Sequence, residues 1–175
     1  MSAESVTAAI GANPIALLFP ELDIELAVTR SLLGVVPWER AAWKPHPKSM
    51  SLGQLAVHVA QLPSFATVMA TTDVLNFDPV AFAAPAIANT NELLALFDSE
   101  VVKLRAALGA LDWTRLGGNW KMVMGENVFL DGQRALMIRH VGINHLVHHR
   151  AQLGVFLRLL DVPLPGSYGP SADTK

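Results

Sequence analysis

Apolar side chains recur every three or four residues along four stretches of this chain, which is the spacing of one face of an α-helix. Prolines and glycines interrupt the pattern between these stretches. The pattern predicts four helices, over residues 14–34, 51–69, 89–108 and 131–160, with a long crossover over 70–88. Amphipathic helices in this arrangement are typical of a four-helix bundle. We therefore predict an all-α fold and a single domain over residues 1–175.

Side chains that cap helices occur where three of the four predicted helices start. Ser51 is followed three residues later by Gln54, which is the spacing of a capping box. Asn89 is the predicted cap of the third helix and Asp131 that of the fourth. Pro63 is expected to bend or end the second helix, because proline lacks the backbone donor that a helix interior needs.

The segments between the helices carry weaker signals. Residues 117–130 alternate around Gly125, which predicts a short β-hairpin before the fourth helix. Residues 71–89 lack periodicity and contain Pro79 and Pro85, so we expect a connection with at most one turn of helix.

Composition excludes several classes of function. The 13 basic and 15 acidic residues give a net charge of −2, which argues against nucleic-acid binding. The absence of cysteine excludes disulfides, thiolate zinc sites and a cysteine nucleophile. Although 51% of the residues are hydrophobic, no apolar run reaches the roughly 18 residues of a membrane span, and no basic region of a signal peptide begins the chain. We expect a cytoplasmic protein with neither nucleic acid nor membrane as a partner.

The histidines are the strongest candidates for chemistry. His145 and His149 are four residues apart, so a helix places both on one face, within reach of one metal ion. His148 lies on a neighbouring part of the same helix. His58 occupies an apolar helical segment, and facing helices of a bundle can build a metal site together. The alternative is that these imidazoles are structural and satisfied by hydrogen bonds.

Two segments of the sequence, Lys48 to Ala60 and Asn144 to Leu153, resemble the DinB family of damage-inducible bacterial proteins, and the stretch from Arg158 to Asp173 resembles one subgroup. The most specific part is the pattern His-x-x-x-His-Arg-x-Gln at 145–152. Ala151 stands where that family often has glycine. The resemblance implies a four-helix bundle in which three histidines hold a divalent metal ion. Matched residue by residue, these ligands are His58, His145 and His149.

The remaining candidates have both a functional and a structural interpretation. Arg150 is either a contact near the metal or one half of a salt bridge between helices. Gln152 and Gln61 each follow a predicted ligand by three residues, and either lines the pocket or lies on the helix surface. The four tryptophans are expected to be packing residues. We predict that the other three histidines, His46, His140 and His148, do not bind the metal.

Three neutral imidazoles leave the charge of a divalent ion uncompensated, so the ion would lower the pKa of a bound water or thiol. A thiol mechanism would need a low-molecular-weight thiol as co-substrate, and relatives of the DinB family include thiol-dependent S-transferases and isomerases. A hydrolase would need a general base. No carboxylate adjoins a ligand in the sequence, although Glu21, Glu25 and Glu100 lie on other helices.

Three functions therefore stay open: a metal-dependent S-transferase or hydrolase, a non-catalytic metal- or ligand-binding stress protein, and a bundle with structural histidines. Zinc or nickel is the expected ion, although imidazole also suits copper and iron. The high apolar fraction and the resemblance both predict a homodimer.

Overall fold

The computed structural model describes residues 18–174 of the chain. Six helices lie in this part: α1 (Leu22–Leu33), α2 (Leu52–Gln61), α3 (Pro63–Thr71), α4 (Thr90–Ala110), α5 (Arg134–Met137) and α6 (His145–Leu159). The strands are β1 (Val74–Asn76), β2 (Asn119–Met124) and β3 (Asn127–Gln133). Two 3₁₀ turns, Trp38–Arg40 and Trp113–Gly117, and a π-helical segment, Ile138–Asn144, complete the elements. Residues 14–17 of the first predicted helix lie outside the described residues.

The long helices pack as a bundle around one apolar core. Both α1 and α2 contact α4 and α6, and α3 packs on α4 and on the π-helical segment. The core side chains include Leu33 of α1, Leu55 of α2, Phe97 of α4 and Leu153 of α6, none more than 1% exposed. Burying each such side chain is worth about 1.5–3 kcal/mol, so this core is what holds the helix faces together.

Two of the predicted helix starts are confirmed by hydrogen bonds. The Ser51 hydroxyl accepts from the backbone of Gln54, and the Gln54 side chain accepts from the Ser51 backbone, completing the capping box of α2. The Asn89 side chain accepts from the backbone N–H of Glu92 at the start of α4. Pro63 is the first residue of α3, where its missing donor is harmless. The second predicted helix is therefore two helices, α2 and α3.

The predicted all-α class is wrong, because a three-stranded mixed sheet lies beside the bundle. The expected hairpin is present: β2 and β3 pair antiparallel around a turn at Gly125, whose φ of 59° favours glycine. The strand β1 was not expected. It lies within the predicted crossover and pairs parallel with β2, Val74 opposite Lys121. Three residues are too few to show a period of two, and their partner is distant in the sequence.

The fourth predicted helix begins later than expected. Asp131 is not its cap, because it lies in β3 opposite Lys121 and forms an ion pair with that side chain. The chain becomes helical at Arg134, a residue that is only 1% exposed. This side chain donates to the carbonyls of Met69 and Thr72 at the end of α3. A buried arginine thereby joins the sheet end of the molecule to the bundle.

A π-helical segment separates α5 from α6 and lies directly against α3. A Cβ atom at Gly142 would be only 2.8 Å from the Cβ of Ala66, so the two backbones touch at this point. Only glycine permits this approach without displacement of α3. The contact determines where α6, and the histidines on its first turns, lie relative to α2 and α3.

Candidate metal centre

Three histidine rings from two facing helices converge between α2 and α6. The ring centroid of His58 lies 4.5 Å from that of His149 and 5.4 Å from that of His145. The Nε2 atoms of His145 and His149 are 2.8 Å apart. One ring nitrogen from each of the three residues lies within 4.8 Å of the others. Nitrogens that share an ion 2.0–2.1 Å away are on the order of 3 Å apart, so this arrangement fits one metal ion.

The orientation of His149 is set by a neighbour on its own helix. Nδ1 of His149 lies 2.7 Å from Oε1 of Gln152, one turn further along α6. Because an amide oxygen can only accept, the proton must be on Nδ1, which leaves the Nε2 lone pair free. That is the tautomer a metal ligand needs, and the Nε2 atom faces His145. Of the two interpretations left open for Gln152, the structure therefore favours the one in which it lines the pocket.

His145 is positioned by the π-helical segment. The backbone N–H of His145 bonds to the carbonyl of His140, five residues earlier, and the carbonyl of Val141 comes one turn before the ring. Nδ1 of His145 is buried and has no hydrogen bond of good geometry within residues 18–174. Interaction with the Val141 carbonyl nevertheless opposes the fall in pKa that burial causes.

All three rings are held in the neutral form. Burial lowers the pKa of His58 from 6.5 to about 4, and the adjacent rings of His149 and His145 add to the effect. Burial is also the largest cause of the lowered pKa of His145 and of the lowered pKa of His149. At neutral pH each ring therefore keeps a lone pair, so the donor set is three uncharged nitrogens.

The other histidines stay outside this cluster. The ring centroid of His148 lies 4.8 Å from that of His149. The side chain of His148 is nevertheless exposed, and so is that of His140. His46 lies in the proline-rich loop, where its Nδ1 accepts from the backbone of Lys48. Among the residues that the structure describes, the group able to hold a metal contains only the three predicted ligands.

Arg150 serves the fold. It is 3% exposed, and its guanidinium lies 2.6 Å from the carboxylate of Glu25 on α1. The Tyr168 hydroxyl accepts from Arg150 at 2.8 Å and donates to Glu25 at 2.9 Å. The salt-bridge interpretation of Arg150 is thus correct. Tyr168 had no signal in the sequence, because its partners lie 18 and 143 residues away.

The carboxylates considered as general bases are engaged elsewhere. Besides Glu25, Glu21 pairs with Arg139 and Glu100 with Lys103. No carboxylate joins the histidine cluster in residues 18–174. Within the described part of the chain, the cluster thus presents three neutral nitrogen ligands and includes no carboxylate.

Comparison with known proteins gives a likeness of fold. No protein-family model matches the sequence, and neither does any curated protein. A solved DinB-like protein of Bacillus subtilis, YjoA, is 19% identical with a TM-score of 0.62, over 93% of this chain and 99% of that one. A DinB-like protein of Bacillus cereus is also 19% identical, with a TM-score of 0.66 over 86% and 95%.

This chain has a DinB-like fold. The resemblance to the DinB family is therefore confirmed at the level of the fold. None of the helices that the structure describes is both long and apolar enough to cross a membrane.

The histidine cluster of this DinB-like fold borders two cavities. A cavity of about 770 Å³ borders His145 and is lined mostly by apolar side chains. A cleft of about 430 Å³ borders His149 and includes Lys48, Ser49 and Gln152. The two cavities therefore meet the cluster at different histidines, the larger one at His145 and the smaller one at His149.

Proposed function

We propose that His58, His145 and His149 bind one divalent metal ion, zinc or nickel, and that the protein is an S-transferase using a low-molecular-weight thiol. The observation that carries this proposal is the convergence of three neutral imidazoles, with a nitrogen of each within 4.8 Å of the others. Three protein ligands leave a position open, which is the pattern of catalytic rather than structural sites.

The chemistry that a bound divalent ion supplies here is to lower the pKa of a coordinated thiol or water toward neutrality. Gln152 holds the His149 proton on Nδ1 and so keeps Nε2 available. The thiol loses its proton to solvent, and its sulfur forms a bond to an electrophilic carbon. The leaving group of that carbon departs with the bonding electron pair.

The surroundings favour a thiol over water as the nucleophile. Hydrolysis at such a site needs a general base, and the carboxylates considered for that role, Glu21, Glu25 and Glu100, are each paired with a basic side chain. A thiolate needs no base once formed. Since the chain contains no cysteine, the thiol must come from solution.

The cleft beside His149 is the proposed thiol site. Small cellular thiols commonly carry carboxylates and amides, and the cleft offers Lys48, Ser49 and Gln152 for such groups. The Lys48 ammonium is exposed and can pair with a carboxylate of the thiol.

The first experiment is metal analysis of protein purified without a histidine tag. We expect one equivalent of metal in the parent protein, its loss in His58→Ala, His145→Ala and His149→Ala, and its retention in His148→Ala. Retention in any of the first three variants, or loss in the fourth, would contradict the proposed ligand set.

The second experiment separates the possible functions. Metal-loaded protein is incubated with 1-chloro-2,4-dinitrobenzene and a panel of thiols with and without carboxylates. We expect thioether formation that needs a thiol and falls in Lys48→Ala for the carboxylate-bearing thiols. Stoichiometric metal without any turnover would indicate a non-catalytic metal-binding protein. Ester hydrolysis without thiol would indicate a hydrolase.

A further inference from the structure

The larger cavity has two chemically different sides. Its apolar side comes from α3, from the segment after β1 and from the hairpin, and consists of Phe65, Phe77, Met122, Phe129 and Leu130. Its other side comes from the π-helical segment and α6, and carries the polar side chains His140, Asn144, His145 and His148. None of the residues from 18 to 174 that line it carries a carboxylate or an ammonium group.

The apolar side is a packed surface of aromatic rings. Phe65 and Phe77 each stack on Phe82, with ring centroids 5.6 and 5.0 Å apart. Phe82 therefore lies between them as a support. The ring centroid of Phe65 lies 6.5 Å from that of His145 in an edge-to-face arrangement, so the aromatic surface reaches the histidine cluster. A molecule in the cavity would contact rings along one face and the metal site at one end.

A β-bulge directs two consecutive residues of β3 into the cavity. Leu130 pairs with Met122 and Val128 pairs with Val123, which leaves Phe129 as an extra residue between these pairs. In a regular strand neighbouring side chains point to opposite faces, yet Phe129 and Leu130 both line this cavity. Bulges that redirect side chains are common next to functional sites. Phe129 is 53% exposed, which is unusual for phenylalanine and leaves it accessible to a ligand.

We propose that this cavity binds the electrophilic second substrate, an aromatic or branched aliphatic molecule that carries a carbonyl or carboxylate group at its polar end. The volume of about 770 Å³ lies within the range of small-molecule sites. The amide of Asn144 and the imidazoles of His140 and His148 can donate hydrogen bonds to such an oxygen. The assignment of this molecule as the substrate rests on the proposed S-transferase function. The inference that the cavity binds a molecule of this chemistry is independent of that function.

The test measures binding of 1-pyrenebutyrate to metal-free protein by its fluorescence, with 1-pyrenebutanol as the neutral comparison. We expect saturable binding of one equivalent, and weaker binding of the alcohol by severalfold. Phe129→Ser should weaken binding about tenfold, because it removes an aromatic contact. Val128→Ser is the matched control, since Val128 is adjacent and equally exposed but does not line the cavity. The affinity of Val128→Ser for pyrenebutyrate should stay within about twofold of that of the parent protein, well below the tenfold loss expected for Phe129→Ser.

The His58→Ala variant separates this inference from the proposed metal chemistry. His58 does not line the cavity, so pyrenebutyrate should still bind when the metal site is destroyed. Absence of saturable binding, equal effects of Phe129→Ser and Val128→Ser, or equal affinity for the acid and the alcohol would overturn the proposal. If instead pyrenebutyrate binds as expected but no metal does, the cavity assignment stands and the S-transferase proposal fails.

Discussion

Nδ1 of His149 donates a hydrogen bond to Oε1 of Gln152 across one turn of α6, at 2.7 Å. This bond assigns a role to an amide that the motif placed three residues after the histidine. It makes Gln152 a positioning residue, because it acts on the metal site through His149. A second amide, Gln61, follows His58 by the same three residues, but no hydrogen bond joins Gln61 to His58 in the structure.

Removing the Gln152 acceptor should weaken metal binding. We expect Gln152→Leu to lower zinc affinity by about 10–100-fold, the usual effect of losing the partner of a ligand histidine. Gln152→Glu keeps an acceptor and should retain affinity. Competition with a chromophoric chelator measures the zinc affinity of both variants. Gln61→Leu is the control; a loss as large as that of Gln152→Leu would mean that the hydrogen bond to His149 is not the cause.

The metal-free protein should lose stability as the pH falls from about 6.5 toward 4. His58 has a pKa of about 4 in the folded protein and 6.5 as its ordinary value. Between these values the unfolded chain binds a proton that the folded site rejects, so acidification favours unfolding. Above pH 6.5 His58 is neutral in both the folded and the unfolded protein, so this loss of stability is absent. Urea unfolding between pH 7.5 and 4.5 measures this dependence.

The pH dependence should become shallower in His58→Asn, which cannot titrate. Lowered pKa values of His145 and His149 act in the same direction, so part of the slope will remain in this variant. An identical slope in the parent and in His58→Asn would contradict the assignment.

Breaking the ion pair between Arg150 and Glu25 should destabilise the fold without removing the metal ligands. Both side chains are buried, at 4% and 8% exposed, so Arg150→Ala leaves an uncompensated carboxylate and should cost about 3–5 kcal/mol of unfolding free energy. Urea unfolding measures it. Arg30→Ala removes an exposed pair with Asp98 and should have little effect. Comparable losses in the two variants would show that burial of the pair is unimportant.

Substitution of Gly142 should disturb the contact between the π-helical segment and α3. The Cβ of Gly142→Ala would lie 2.8 Å from that of Ala66, and overpacking of this kind costs about 1–3 kcal/mol. The compensating change Ala66→Gly should restore much of the stability when combined with it. Gly154→Ala in α6 is the control, because nothing lies within 4 Å of its added Cβ, and it should be neutral or stabilising. Thermal unfolding of the parent protein and these three variants measures the changes in stability.

The homodimer stays a prediction from composition and resemblance. The described surface exposes large apolar side chains on three helices of the bundle, namely Ile24, Val102, Val155 and Leu159. Such side chains are candidates for a contact between copies. Light scattering at micromolar concentration should give about twice the chain mass of 18.8 kDa; a monomer mass would contradict the prediction.

Features that depend on neighbouring residues were predictable from the sequence by itself. The capping box of Ser51 and Gln54, the cap at Asn89 and the turn at Gly125 each involve residues at most three or four apart. The shared face of His145 and His149 follows from helical spacing in the same way. These interactions have little loop to close, so local patterns determine them.

Tertiary structure alone decided the features that join distant segments. Val74 pairs with Lys121, Arg150 with Glu25, and His58 meets His145 only after the bundle has formed. The parallel strand made the all-α prediction wrong, and the π-helical segment, pressed on Ala66, set the position of the histidines on α6. Such pairings form when burial of the core offsets the entropy of ordering the chain, and no short sequence pattern reports that balance.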